Sequence, residues 1–266
     1  MEFTNWFEYD STVPCIGGGQ VEIWKFNYQY DIDAFDEWAK HFRNQYCSDK
    51  DLDRLRKPTG KNREDFLLDF KFPDKSNPPG PSTRSGDFAE ILIADFLEYI
   101  EKYWTPRTRY DRKVNKDMST PGSDVIAIKI KNMPNGNPCD ELVVFEVKSR
   151  IASTSNDLNK AINGSSKDPL RIAESLEAMS TRFYYDRDQE SYDKIGRIQQ
   201  MINIAKKPCS YGAALVCSNN LYNQQLVSGA DVTNHPQNAN LRLLLVKAND
   251  LRAIVHSLYS WTAHEA

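Results

Sequence analysis

The chain has 266 residues, of which 40% are hydrophobic and 27% are charged, a composition typical of a globular protein whose core is large enough to need no disulfides. Its net charge of −3 excludes a uniformly basic nucleic-acid binder. The sequence contains no run of about 18 apolar residues, so no membrane span is predicted. The five scattered cysteines, none in a CxxC pair, and an acidic, aromatic N-terminus without signal-peptide character predict a cytoplasmic protein.

The N-terminal part is predicted to combine strands and a helix. Residues 20–30 (QVEIWKFNYQY) alternate apolar and polar side chains as a half-buried strand does. Asp31 is typical of a helix start, and apolar residues recur at helical spacing from there towards Cys47. The apolar run FLLDFKF at 66–72 predicts a second strand.

The segment Pro73–Ser85 holds four prolines and a glycine among small polar residues, which indicates a loop or linker. We therefore predict a boundary here. Residues 1–80 form an N-terminal α+β extension, and residues 81–266 form the main domain.

Beyond this linker, strands and helices are predicted to build a mixed β-sheet flanked by helices, an α/β fold. A strong amphipathic helix over Asp87–Tyr103 comes first. Two apolar strands follow and are predicted to form an antiparallel hairpin, because residues 132–141 between them contain Pro134, Gly136 and Pro138. The remaining predicted elements are helices at 168–185 and 188–206, strands at 212–217 and 241–246, and a helix at 250–261.

A basic stretch from Lys102 to Lys116 contains one acid among six cations. Such a stretch could follow a phosphate backbone, and Arg107, Arg109, Arg112 and Lys113 are the candidate DNA contacts. A solvated surface loop is an equally good interpretation.

The triplet [DE]-x-K occurs three times, at Asp69, Asp111 and Glu146. The third lies in the hairpin strand LVVFEVKS, where the alternation of a strand puts Glu146 and Lys148 on one face. Burying an acid and a lysine in so apolar a strand costs free energy unless they bind something. The Ser149-Arg150 pair that follows could contact phosphate, or Arg150 could instead cap the sheet edge.

Two further acids are predicted to approach this triplet. Pro121-Gly122 favours a turn that delivers Asp124 to the start of the first hairpin strand, beside Glu146. Glu90 projects from the preceding helix, either towards the same point or into solvent. Two converging acids and an ammonium are what a magnesium-assisted phosphodiester hydrolysis requires, because magnesium takes oxygen ligands and the ammonium can orient water or stabilise charge.

The order helix-Glu90, PGSD at 121–124 and FEVKS at 145–149 resembles the PD-(D/E)xK nuclease superfamily. The fuller strings RSGDFAEILIADFLE, TPGSDVIAIKI and ELVVFEVKSR are similar to the HamA family, nuclease effectors of Hachiman anti-phage defence. The resemblance is densest over residues 81–150, and it departs from the simplest pattern in the Gly-Ser between Pro121 and Asp124.

The resemblance implies a restriction-endonuclease-like fold and a magnesium-dependent deoxyribonuclease, with manganese as a substitute. Asp124 and Glu146 would ligate the metal with the Val147 carbonyl, Lys148 would position or activate water, and Glu90 would join the metal shell.

The resemblance also implies a partner, a helicase of the HamB type. This chain contains no GxxxxGK[ST] nucleotide-binding motif, so the helicase would supply any nucleotide-driven step. The aromatic N-terminal residues Trp6, Phe7, Trp24 and Trp38 could dock it, or could simply pack on the nuclease core. A stand-alone restriction or repair nuclease, and a non-catalytic scaffold that regulates a helicase, are the alternative functions.

Overall fold

The computed structural model describes residues 1–29, 31–130, 140–151, 157–203 and 209–266. Within these ranges, six strands form one sheet in the order β1-β2-β6-β5-β4-β3. Strands β2, β6, β5 and β4 run parallel, and an antiparallel strand closes each edge. The strands are β1 Phe7–Pro14, β2 Gln20–Phe26, β3 Val125–Lys129, β4 Glu141–Arg150, β5 Ser210–Ser218 and β6 Leu241–Ala248.

Helices cover both faces of the sheet, as burial of the parallel strands on both sides requires. The α-helices are α1 Ile32–Tyr46, α2 Asp49–Arg56, α3 Arg63–Phe66, α4 Gly80–Asp95, α5 Asp157–Ser165, α6 Asp168–Asp186, α7 Gln189–Asn203, α8 Gln224–Ser228 and α9 Leu251–His264. Helices α1, α4 and α9 share one core with the sheet, and α5 to α8 pack on the opposite face. The predicted fold class, a mixed sheet flanked by helices, is confirmed.

Short helical turns complete the described elements. Four are 3₁₀-helical, and two π-helical turns continue α3 and α4. Their bounds are Glu2–Trp6, Lys57–Thr59, Asn219–Leu221 and Asn238–Asn240 for the 3₁₀ turns, and Leu67–Lys71 and Phe96–Ile100 for the π-helical turns. In the described ranges no helix is both long and apolar enough to cross a membrane.

Two predicted elements were wrong. Residues 66–71 are helical rather than extended, because Asn62 caps a helical turn by accepting a hydrogen bond from the Asp65 N–H at 2.7 Å. The Pro73–Ser85 segment is a loop only as far as Pro79, since α4 begins at Gly80. The loop predicted between the hairpin strands, and the end predicted for the helix at 188–206, lie largely outside the described residues.

The predicted division near residue 80 does not coincide with a break in the sheet or in the core. Strand β2 pairs with the C-terminal strand β6, and α1 packs in the same core as α4 and α9. Trp6, Phe7 and Trp38 are buried in this core, and Trp24 packs against it. Of the two interpretations of these aromatic residues, packing on the core is the one observed.

Candidate active site

The hairpin of β3 and β4 brings Asp124 beside Glu146. Val125 pairs with Phe145 in antiparallel register, so Asp124, which precedes Val125, lies next to Glu146, which follows Phe145. Gly122 has a φ of +100°, the left-handed conformation that the Pro-Gly turn predicted. Asp124 Oδ2 accepts a hydrogen bond of 2.9 Å from the Val147 N–H, which fixes the carboxylate against β4.

Lys148 donates hydrogen bonds to both residues that precede it in the triplet. Its Nζ donates to Glu146 Oε1 at 2.5 Å and to the Val147 carbonyl at 3.2 Å. Burial favours the neutral amine, but the hydrogen bond to Glu146 and the charge of Asp124 outweigh it, so the pKa of Lys148 is raised. Lys148 is therefore a fixed positive charge in the site at neutral pH.

Glu90 lies in the same cleft as Asp124 and Lys148. It is only 8% exposed on α4, and its Oε2 accepts hydrogen bonds from Tyr110 Oη at 2.8 Å and from Arg109 Nε at 3.1 Å. Burial raises the pKa of Glu90, against the opposing charge of Arg109. The interpretation of Glu90 as a solvent-exposed helix acid is thus excluded.

Arg109 joins the two acids that come from different elements. Its guanidinium reaches Glu90 Oε2 through Nε, the Ser123 carbonyl at 2.5 Å through Nη1, and Asp124 Oδ1 at 3.5 Å through Nη2. Even with this cation beside it, the pKa of Asp124 is raised to about 7 by burial and by the charges of Glu90 and Glu146. The carboxylates repel one another, and Arg109 offsets part of that repulsion.

The positions of three residues near Glu146 were not predicted from the sequence, although Arg171 was a candidate for extending a substrate groove. Arg171 Nη1 lies 3.3 Å from Glu146 Oε2. A Cβ on Gly164 of α5 would lie 2.5 Å from Glu146 Oε1, so α5 packs directly on this carboxylate. Asp168 is fully buried, and burial together with the charge of Glu146 raises its pKa to about 7. The Asn163-Gly164 pair inside a helical stretch was the available signal, because glycine in a helix often marks close packing.

The basic stretch that was predicted to contact DNA is largely paired with carboxylates. Arg107 reaches Asp95 at 2.7 Å and Glu98 at 2.6 Å. Arg112 pairs with Asp186, and Lys113 is buried 2.5 Å from Asp87. With Arg109 also engaged, these cations connect elements of the protein, and none of the four lines the cleft of Asp124 and Lys148.

The two residues after Lys148 differ in their surroundings. Ser149 lines the cleft, and its Oγ has no hydrogen-bond partner within the described ranges. Arg150 is 4% exposed at the end of β4.

The acids of the other two [DE]-x-K triplets do not lie on strands. Asp69 lies on a π-helical turn and pairs with Lys61 at 2.6 Å. Asp111 pairs with Arg182 instead. Among the described residues, Glu146 is thus the one triplet acid that lies on a strand, next to an acid at the start of the neighbouring strand.

The cleft has a volume of about 900 Å³ and is open to solvent. Glu90, Asp124, Val147 and Lys148 lie along its lining. A cleft of this size accommodates several groups of a polymeric substrate around the acids.

The donor set fits a hard divalent cation. It consists of the carboxylates of Asp124 and Glu146 and the carbonyl of Val147, all oxygens, as magnesium prefers. The Lys148 ammonium contacts both Glu146 Oε1 and the Val147 carbonyl. These two oxygens are therefore close enough together to share one cationic group. Among the described residues no three His, Cys, Asp or Glu side chains converge as a ready metal cage, but magnesium needs only one or two carboxylates.

Nearly the whole chain is similar to a known family. A family model described as HamA matches residues 1–261. No curated protein matches.

Proposed function

Because that family model covers nearly its whole length, the chain belongs to the HamA family, and we propose that it is a metal-dependent nuclease that hydrolyses phosphodiester bonds in DNA. One observation carries the proposal: the Lys148 ammonium lies 2.5 Å from Glu146 while Asp124 is bonded to the backbone of the residue between them. Two acids and a lysine thus lie at neighbouring positions of two adjacent strands, and Asp124 and Lys148 line a large cleft.

In this proposal Asp124, Glu146 and the Val147 carbonyl would hold Mg²⁺, with Mn²⁺ as a substitute, and Glu90 would join through water or directly. The bound cation would neutralise the charge that develops on the phosphate and would lower the pKa of water. Arg109 keeps Glu90 and Asp124 close together despite their repulsion.

Lys148 would act through its charge rather than as a base. A raised pKa keeps the amine protonated at neutral pH, so it can donate hydrogen bonds to the attacking water or to a phosphate oxygen but cannot accept a proton. Such a preorganised donor stabilises charge that appears in the transition state.

Family membership supports a role in Hachiman anti-phage defence, which we propose for this chain together with a helicase partner. A stand-alone restriction or repair nuclease is the first alternative, and a non-catalytic scaffold that regulates a helicase is the second. The scaffold is disfavoured because Glu90, Asp124, Glu146 and Lys148 are all present and lie together.

The test is degradation of plasmid DNA with Mg²⁺, for the chain alone and with its helicase partner. Glu146→Ala and Lys148→Ala are each expected to slow cutting by about a hundredfold or more. The matched control is Asp69→Asn, which alters a look-alike triplet on an exposed turn and should cut normally.

Retained cutting by both site variants, with unchanged melting temperatures, would remove this site from the mechanism. If calorimetry shows no Mg²⁺ binding while the chain binds the helicase tightly, the scaffold alternative holds instead.

A further inference from the structure

Beyond the acids and Lys148, four basic residues line the cleft of the candidate active site, three of them cations and one a histidine. Lys75 precedes α4, Arg84 lies on α4, and Arg252 and His256 lie one turn apart on α9. We call these four residues the basic wall. None of them stands out in the sequence, because they come from distant parts of the chain and only the fold brings them together.

Arg84 has the most informative environment in the basic wall. It is 5% exposed, yet within the described residues no carboxylate lies within ion-pair distance of it. Its Nε donates to the Pro73 carbonyl at 2.5 Å, and its guanidinium lies 4.5 Å from the centre of the Tyr259 ring. A buried charge without a counter-ion is costly, and here the guanidinium borders a cleft where an anion can supply one.

Lys75 and Arg252 are exposed, and in the described part of the chain neither forms an ion pair. This contrasts with Arg107, Arg109, Arg112 and Lys113, whose charges are each matched by a carboxylate. Cations that are left unmatched on the lining of a cleft are available to a ligand.

The members of the basic wall are close enough to affect one another. Burial lowers the pKa of His256, and the charges of Arg84, Arg252 and Lys75 lower it further. The mutual repulsion of these groups is unfavourable in the free protein and would be relieved by an anion among them.

We propose that the basic wall binds backbone phosphates of the nucleic-acid strand that flank the scissile phosphate at Asp124 and Lys148. The inference rests on the proposed nuclease function and extends it from the scissile phosphate to the phosphates on either side of it. A polyanion is favoured over a single small anion because the cations are spread along a cleft of about 900 Å³. The hydroxyl of Ser119 on the same lining adds a neutral donor of the kind that commonly accompanies cations at phosphates.

The experiment measures binding of a short fluorescent DNA duplex, and of the matching single strand, by anisotropy in EDTA over a range of salt concentrations. The test variant is Lys75→Ala/Arg252→Ala, which removes two exposed cations and leaves the core untouched. The control variant is Lys57→Ala/Arg54→Ala, which removes the same charges from an exposed turn and from α2, outside the cleft.

The test variant is expected to bind roughly tenfold to a hundredfold more weakly at moderate salt, with the slope of log affinity against log salt reduced by about 2. The control variant should bind as the wild type does. Equal affinity of the test variant and the wild type, or an equal loss in both variants, would overturn the proposal.

Binding in EDTA separates this proposal from the nuclease function. Glu146→Ala should abolish cutting and keep the salt-dependent binding. If the wild type never cuts but binds DNA more strongly than the test variant does, the basic wall is retained and the nuclease is rejected. If the wild type cuts, Glu146→Ala does not, and the test variant binds as strongly as the wild type, the nuclease is retained and the basic wall is rejected.

Discussion

At the scale of single residues, the contact between Gly164 and Glu146 fixes the position of a proposed metal ligand. The α5 backbone approaches so closely that a methyl group there would lie 2.5 Å from Oε1 and 2.6 Å from Cδ of Glu146. Separations under about 3 Å between such atoms do not occur without movement, so any side chain at residue 164 must displace the carboxylate or the helix.

Gly164→Ala is therefore expected to reduce cutting about tenfold to a hundredfold, because a shift of about 1 Å at a catalytic group has effects of that size. Gly196→Ala is the matched control, since a methyl group added at Gly196 in α7 would have no atom within 4 Å. We expect Gly196→Ala to cut normally and to gain up to about 1 kcal/mol of unfolding free energy. Equal cutting by both variants would show that Glu146 is not held by α5.

Asp168 gives the site a dependence on pH that can be measured without metal. Its Oδ1 accepts a hydrogen bond from Ser123 Oγ at 3.1 Å, while its buried Oδ2 has no partner in the described residues. The pKa of about 7 lies above the ordinary value of 3.8, so the folded state holds this proton more tightly than the unfolded chain does. The contribution of Asp168 to stability is then complete at low pH and is lost as the pH rises through about 7.

We expect Asp168→Asn to remove that loss. In EDTA, its free energy of unfolding relative to the wild type should rise between about pH 4 and pH 8, by roughly 2 to 4 kcal/mol at most. Urea titrations across this range provide the measurement. Asp33→Asn, in the exposed first turn of α1, is the control and should follow the wild type. A constant difference between Asp168→Asn and the wild type across the range would contradict the raised pKa.

Most of the candidate site could be predicted at this scale, because a strand and a turn are local features. Residue alternation placed Glu146 and Lys148, and Pro121-Gly122 placed Asp124. The contacts from α5 and α6 could not be predicted, since Gly164, Asp168 and Arg171 reach Glu146 only through tertiary packing. The charge of Arg109 was recognised, but its role was not, because its partners Glu90 and Asp124 lie on separate elements.

At the scale of elements, a buried ion pair attaches the segment between α4 and β3 to α4. Lys113 Nζ lies 2.5 Å from Asp87 Oδ2, and each side chain is 4% exposed. Tyr46 of α1 donates to the same carboxylate at 2.9 Å. This pair therefore connects three parts of the chain that surround Glu90.

Lys113→Met is expected to lower the free energy of unfolding by about 3 to 5 kcal/mol, because it leaves Asp87 buried without its cation. Asp87→Asn/Lys113→Met should recover part of that loss. The neighbouring Arg112→Ala removes an exposed pair with Asp186 and should cost no more than about 1 kcal/mol. Urea unfolding measures all three, and similar small changes in every variant would mean that the Lys113 pair is not structural.

The elements that were not predicted have weak or misleading sequence patterns. Strand β1 contains a bulge between Tyr9 and Ser11, which breaks the alternation that identifies a strand. Residues 66–72 are apolar enough for a strand, but Asn62 three residues before Asp65 is a helix-start signal that was overlooked. The strongly apolar hairpin strands and the amphipathic helices α1, α4 and α9 were predicted because burial is visible in their spacing.

At the scale of the whole molecule, residues 1–80 are part of the sheet and of the core. They supply β1 and β2, which continue the sheet beyond β6, and α1, whose Trp38 is 1% exposed. Without them, the edge of β6 and the apolar faces of α4 and α9 would be open to solvent.

We therefore expect residues 81–266 alone to be insoluble or to unfold without a cooperative transition, as followed by circular dichroism. The control is the full chain cut at a protease site inserted in the exposed turn at Gly60, which has φ +70° and no atom near its Cβ position. That cut chain should keep its sheet. A soluble fragment 81–266 with a sharp melting transition would show that the boundary near residue 80 separates independent domains.

The pairing of β2 with β6 also has a consequence for the order in which the protein can be made. Val21 lies beside Leu243 in this pair, so all the residues between them must leave the ribosome before the two strands can meet. The hairpin that carries Asp124 and Glu146 is synthesised midway, before β5 and β6 exist to support it. Contacts between residues so distant in sequence form slowly. A growing chain would thus not complete the sheet that supports the candidate site until β6 has been synthesised.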